Sequence, residues 1–314
     1  MFAMSQETGE SPMRIDVFPL PDLVPAGYRP AAVLFIDVLR ATTTITAALA
    51  AGAEKVIPVM EPGQAFQMKR LLEKSDPAKK GTLLLGGERK GIRIEGFDLG
   101  NSPADYTPER VAGKTLLFST TNGTRAILTF ERNSGQNSEG GERKPPRRGG
   151  PSLRQSAPPV PAASRTRSFL GSFLSARALV GRLRMFPTLG IVCAGTDLHY
   201  TEEDILLAGL VVSRLFCPCE AGEESRPRPL LNVQAETAKY LWESFLESVT
   251  PETLEKRLCE KLLASRGGEN LRRIHLAGDV RDASRLDSLE TVPEYAFGTV
   301  TSAADPGQTP GKES

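Results

Sequence analysis

The run Val33-Leu34-Phe35-Ile36 is apolar at every position instead of every second one, and it passes directly into Asp37 and then into a threonine-rich helical stretch. A strand of that composition has to be covered on both faces. Similar short runs recur at 14–18, 55–60, 82–85, 115–119 and 189–193, with 32–38 the most apolar of them. Segments of helical period lie between them, at 42–51 closed by Gly52, and at 62–74. Ser102-Pro103-Ala104-Asp105 and Thr201-Glu202-Glu203-Asp204 carry the cap-and-acid signature of helix starts, the second ahead of 205–216. Further helices are predicted at 234–248, 251–265 and 270–276, and a last strand at 291–297. The alternation predicts an α/β fold.

At 314 residues, with 39% hydrophobic and 25% charged side chains, the chain has material for a real core. Its net charge of +1 gives no support to nucleic acid as a partner. The stretch 132–168 is the exception, with eight basic and two acidic residues among Gly, Ser and Pro. It has almost no large apolar side chain to offset ordering entropy, which predicts a disordered insertion. It also has no aromatic on which bases would stack. Residues 1–12 and 300–314 are read as a disordered N-terminus and a flexible tail. That leaves 13–131 and 169–299 as a single catalytic α/β domain, in one lobe or two.

No apolar run approaches the roughly 20 residues of a spanning helix, and 1–12 lacks the features of a secretory signal. Four cysteines are too few for a disulfide scaffold, and Cys217-Pro-Cys219 lacks a second ligand pair for zinc. A cytoplasmic protein is expected. With His199 and His275 as the only histidines, a three-histidine metal site is excluded. Chemistry has to come from carboxylates, arginines and hydroxyls, with or without a bound cation.

Four strand ends carry such groups. The first is Asp37 and Arg40 ahead of Thr42-Thr43-Thr44, where a carboxylate would hold a cation and a helix start would receive an anion. The bland alternative makes Asp37 and Thr42 turn and helix caps. The second is Gly86-Gly87-Glu88-Arg89-Lys90-Gly91 followed by Asp98, Asn101 and Ser102, a glycine-rich loop suited to close approach by a ligand. Its alternative is a solvated charged loop. The third is Ser119-Thr120-Thr121-Asn122-Gly123-Thr124-Arg125, suited to a phosphate cradle without a Walker lysine, or else an Asn-Gly turn. The fourth is Cys193-Ala194-Gly195-Thr196, where a cysteine ending an apolar strand is more often a small core residue than a nucleophile.

In this order the motifs resemble the 2-phosphosulfolactate phosphatase family. The blocks are 36–44, Gly87-Glu88-Arg89 with 96–103, 120–125, 171–174, and 193–196 with Glu203-Asp204 and Ala208-Gly209. The resemblance implies a three-layer α/β/α fold with a largely parallel or mixed sheet. It also implies Mg²⁺-dependent hydrolysis of (R)-2-phospho-3-sulfolactate to 3-sulfolactate and phosphate, a step of coenzyme M biosynthesis. A polyanionic ester needs several cations, and a parallel sheet can bring the loops of Arg40, Arg89 and Arg125 to one edge. These arginines are therefore expected to bind its sulfonate or carboxylate and, with Asp37 and Glu88, to form the catalytic set, one carboxylate acting either on the metal, as a base or as a covalent nucleophile. Asp37, Glu88 and Asp98 become metal ligands, and Asn101, Ser102, Thr120, Thr121, Asn122, Gly123 and Thr124 bind substrate. The expected partner is a small anionic substrate, with neither membrane nor nucleic acid, and a homo-oligomer is compatible with the reading.

The insertion and Ser175, where the family pattern more often has Asn, depart from the resemblance. A haloacid-dehalogenase-type phosphatase is the enzyme alternative, although Leu39 stands where its acid/base Asp belongs. The third reading is a non-catalytic anion-binding protein of the same fold.

Overall fold

A computed structural model describes residues 11–135, 166–217 and 227–303. Its strands are β1 (Arg14–Phe18), β2 (Ala32–Ile36), β3 (Lys55–Val59), β4 (Leu83–Arg89), β5 (Ile92–Arg93), β6 (Thr115–Ser119), β7 (Arg167–Gly171), β8 (Thr188–Cys193), β9 (Leu230–Leu231), β10 (Pro293–Ala296) and β11 (Thr299–Ser302). The helices are α1 (Ala41–Ala50), α2 (Pro62–Ser75), α3 (Pro108–Val111), α4 (Asn122–Ser134), α5 (Ala176–Leu183), α6 (Glu202–Phe216), α7 (Val233–Leu246), α8 (Leu254–Ala264), α9 (Arg266–Arg273) and α10 (Ala277–Ala283).

These strands form one mixed sheet in the order β5-β4-β6-β3-β11-β10-β7-β2-β8-β1-β9. β4, β6 and β3 form one parallel block, and β7, β2, β8, β1 and β9 form another. The hairpin β10–β11 stands between the blocks and pairs antiparallel on both sides. Three successive reversals make the two blocks run in opposite directions.

Side-chain alternation explains why the central strands are apolar throughout. Val33 and Phe35 of β2 pack on Ala126, Ile127 and Phe130 of α4, while Leu34 and Ile36 pack toward α5, α6 and α7. In β6, Leu116 and Phe118 meet Ile45 and Leu49 of α1, while Leu117 meets Ala65 of α2. Helices therefore cover both faces, as the sequence predicts.

Several boundaries differ from expectation. The ends of the supposed insertion 132–168 belong to regular structure. Helix α4 runs to Ser134 and closes on Gly135 in the left-handed conformation, and Arg167 already lies in β7. Composition hides β7 because its first residues are polar. Residues 136–165 lie outside the described residues, as do 1–10 and 304–314. The tail is also shorter than expected, since Thr299–Ser302 is a sheet strand whose Val300 is fully buried.

The glycine-rich segment 86–91 is no open loop. Strand β4 continues through Gly86 and Gly87 to Arg89 and turns back as β5. Glycine is needed there because a Cβ at 87 would lie 2.1 Å from the Ser119 carbonyl oxygen, and one at 86 would lie 2.4 Å from the Tyr106 hydroxyl.

Candidate active site

Both crossover helices that leave one block for the other start at the same place. α1 carries the chain from β2 toward β3, and α4 leaves β6 to cover β2 and β8. Asp37, the residue after β2, sits where these two starts meet. Its Oδ1 accepts the Ala41 N–H at 3.3 Å, and the Gly123 amide lies close enough to the same carboxylate to favour its charged form. A Cβ at Gly123 would lie 3.1 Å from Asp37 Oδ2. The loops therefore converge, though not at a shared carboxyl edge of a parallel sheet. The five strand steps from β6 to β2 accumulate roughly 100–125° of twist, which turns the ends of oppositely running blocks toward each other.

The threonines are occupied with shaping this turn. Thr42 Oγ1 donates to the Asp37 carbonyl at 2.9 Å and receives the Asp37 N–H at 3.1 Å, and Thr43 Oγ1 donates to the Val38 carbonyl at 2.8 Å. Burial pushes the Asp37 carboxyl up to about 7. The two helix-start amides oppose that shift, and the charges of Glu88 and Glu203 add to it.

Glu88 lies close enough to act on Asp37, and its Oε2 takes the Gly91 N–H at 2.6 Å. Asp98 does not join them. It is exposed, accepts the Leu85 N–H at 2.8 Å and faces Lys69 at 3.4 Å. The Asp37, Glu88 and Asp98 set is thus not assembled as one metal site. Among the described residues no three His, Cys, Asp or Glu side chains gather at metal-ligand spacing.

The arginines are already engaged, contrary to their expected role as free anion ligands. Arg40 is buried, donating to Asp279 Oδ2 at 2.5 Å and to the Gly91 carbonyl at 2.6 Å. Asp279, on α10, also accepts from Ser102 Oγ at 2.5 Å, so Ser102 precedes the short helical turn Pro103–Asp105 as expected but its side chain does not cap it. Arg89 ties strand ends together through the Met60 carbonyl and Ser119 Oγ. Arg125 reaches Asp22 at 3.1 Å and the Ala194 carbonyl at 3.5 Å. Side chains of Arg89 and Arg125 remain 33% and 21% exposed, which leaves them the accessible cations of the set.

Thr120 and Thr124 are buried, their hydroxyls 3.3 Å apart, while Thr121 is exposed and Asn122 half-buried at the start of α4. Asn101 is buried, its main-chain carbonyl taking Thr44 Oγ1 at 3.1 Å and its Oδ1 left without a partner. Cys193 is fully buried, and burial raises its thiol pKa well above the usual range, so it has the character of a core residue. A groove of about 590 Å³ between α2 and α4 touches Thr124, but Met60, Met68, Leu71 and Leu128 line it and no arginine or lysine does. It does not suit a polyanion.

Two acids that sequence reasoning treated as helix-cap partners turn inward. Glu203 and Asp204, in the first turn of α6, are 2% and 3% exposed. Burial raises the pKa of both carboxyls. Glu203 Oε2 is buried without a partner. The signal for them in the sequence was their place in the fifth block.

The sequence profile of the 2-phosphosulpholactate phosphatase family matches residues 18–135 and 161–297. The chain belongs to this family. It is 35% identical over 268 residues to a probable 2-phosphosulfolactate phosphatase of Symbiobacterium thermophilum, covering 84% of this chain and 91% of the relative. Proteins of the same description from Carboxydothermus hydrogenoformans and Thermotoga maritima are 31% and 32% identical, over 90% and 84% of this chain and 93% and 88% of their own lengths. Family membership makes the chain an enzyme, a hydrolase of phosphoric monoesters. Leu39, which stands where a haloacid dehalogenase has its acid/base Asp, packs against the main hydrophobic core.

Proposed function

We propose that the chain hydrolyses (R)-2-phospho-3-sulfolactate to 3-sulfolactate and phosphate with Mg²⁺, at the junction of α1 and α4. The carrying observation is Asp37, a buried carboxylate that accepts an amide from the start of α1 and lies against Gly123 at the start of α4. A phosphoryl group placed there would meet further helix-start amides and the Thr120 and Thr124 hydroxyls. Arg125 and Arg89, partly exposed, supply positive charge for the carboxylate and sulfonate of the substrate.

The donor set suits a hard cation. Mg²⁺ commonly takes one or two carboxylates, with waters and substrate phosphate completing its shell. Asp37 and Glu88 would hold it, since a cation relieves the repulsion between buried Asp37 and half-buried Glu88, and the unpartnered Glu203 oxygen adds to the negative potential. When bound, Mg²⁺ neutralises phosphoryl charge and lowers the pKa of a bound water. Asp37 and Thr42 fix the turn, and the α4 amides orient the phosphoryl oxygens. No histidine is required, because phosphoryl transfer rests mainly on positioning and charge stabilisation.

We place the protein in the cytoplasm, as a step of coenzyme M biosynthesis. The cysteines among the described residues are unpaired, and no described helix is long and apolar enough to cross a membrane. Phosphate release from a panel of phosphorylated hydroxy acids, with Mg²⁺ or with EDTA, tests the substrate. We expect the sulfonated ester to be preferred. Equal rates on uncharged phosphate esters would contradict the assignment.

A further inference from the structure

We infer that Asp204 is a positioning residue for Asp37, splicing together the ends of β2 and β8 where their hydrogen-bond ladder stops. The two strands pair in register as far as Ile36 and Cys193, and the Ala194 N–H still donates to the Ile36 carbonyl at 2.7 Å. Beyond that the chains diverge, into the Asp37 turn on one side and a tight turn at Gly195 on the other. The Asp204 carboxylate bridges the gap. Its Oδ1 accepts the Val38 N–H at 2.9 Å and its Oδ2 accepts the Gly195 N–H at 3.1 Å.

Asp37 lies between the last laddered residue, Ile36, and the clamped residue, Val38, so its main chain is held on both sides. The Gly195 side of the clamp is equally confined. Gly195 has φ +63°, and a Cβ there would lie 2.4 Å from the His199 carbonyl oxygen and 2.6 Å from Leu20 Cδ2. Asp204 comes from the first turn of α6, where the helix start favours a carboxylate. Both of its oxygens hold main-chain amides of the two strand ends, so its role is to fix the chain around Asp37. This rests on the phosphatase reading only for its kinetic consequence.

Asp204→Asn is the discriminating variant. It keeps the volume but has one acceptor, so its NH₂ group must face either the Val38 or the Gly195 N–H, donor against donor. Asp16→Asn is the matched control. Asp16 is also a buried carboxylate, accepting from the Tyr28 hydroxyl at 2.9 Å and Arg14 Nε at 3.0 Å, but it sits within β1 opposite Gly190.

We expect Asp204→Asn to fold, to exchange amide hydrogens faster only in peptides spanning 36–43 and 193–200, and to lose about 10²-fold in kcat with KM changed less than about threefold. Asp16→Asn should melt at a lower temperature yet keep kcat within about twofold of wild type. Equal kinetic losses in the two variants, or wild-type kcat in Asp204→Asn, would overturn the inference. Hydrogen exchange of the wild-type protein decides the matter even if the variant does not fold. The Val38 and Gly195 amides should be protected like the β2–β8 ladder, and protection no better than that of an open loop would refute the clamp. Absence of turnover on phosphosulfolactate by wild type would sink the functional reading and leave the exchange result to decide the clamp.

Discussion

Gly123 stands against Asp37 so closely that a methyl group at 123 would lie 3.1 Å from the carboxylate oxygen and 3.1 Å from the Ala41 Cβ. Gly123→Ala is therefore a steric probe of the site. Alanine favours the helix by up to about 1 kcal/mol, which offsets part of the crowding, so overall stability should change little. The carboxylate has to shift instead, and activity should fall about tenfold or more. Melting temperature and kcat measured together check this. A variant that stays fully active would show that the Asp37 position tolerates displacement.

The Arg40–Asp279 pair joins the turn after Asp37 to α10, and its side chains are 3% and 6% exposed. Removing one partner leaves a buried charge uncompensated, so Arg40→Met and Asp279→Asn should each lose about 3–5 kcal/mol in urea unfolding. The double variant should lose less than the two losses added together. Full additivity would mean that the two side chains do not act as a pair.

Asp98 gives the contrasting case. It is exposed and held by one main-chain amide. Asp98→Asn should lower stability by about 1 kcal/mol at most and leave kcat within about twofold. A large rise in the Mg²⁺ concentration needed for half-maximal activity would restore Asp98 to the metal set.

The titration of Asp37 makes a signed prediction. Its carboxyl rises from 3.8 to about 7 on folding, so the native state keeps a proton that the unfolded chain gives up. This group therefore destabilises the fold progressively as pH climbs from about 4 to about 7, and the loss is complete above that. Asp37→Asn escapes it. In EDTA, its advantage in unfolding free energy should be near zero at about pH 4 and reach a few kcal/mol by about pH 8. A gap that does not vary with pH would contradict the buried setting. Added Mg²⁺ should narrow the gap at high pH by stabilising the wild type.

Local rules made part of this molecule legible. Continuous apolarity at 33–36 and 115–118 required two covered faces, and the Asp37 and Gly123 motifs each followed such a strand. What could not be read depended on distant partners. Nothing near Arg40 announces that Asp279, 239 positions away, will neutralise it. Glu203 and Asp204 have the ordinary look of a helix's acidic first turn, and only tertiary packing turns them inward. The reversal between the two blocks comes from the hairpin β10–β11, whose second strand was read as tail. Strand β7 was hidden by the polar residues at its start and the basic stretch before it.

Phosphate release from (R)-2-phospho-3-sulfolactate, followed for wild type and Asp37→Asn in Mg²⁺ and in EDTA, tests the central claim most directly. The account predicts turnover by wild type that EDTA abolishes, and a loss of at least about 10²-fold in a folded Asp37→Asn protein. Wild-type rates in that variant, or undiminished release in EDTA, would contradict it.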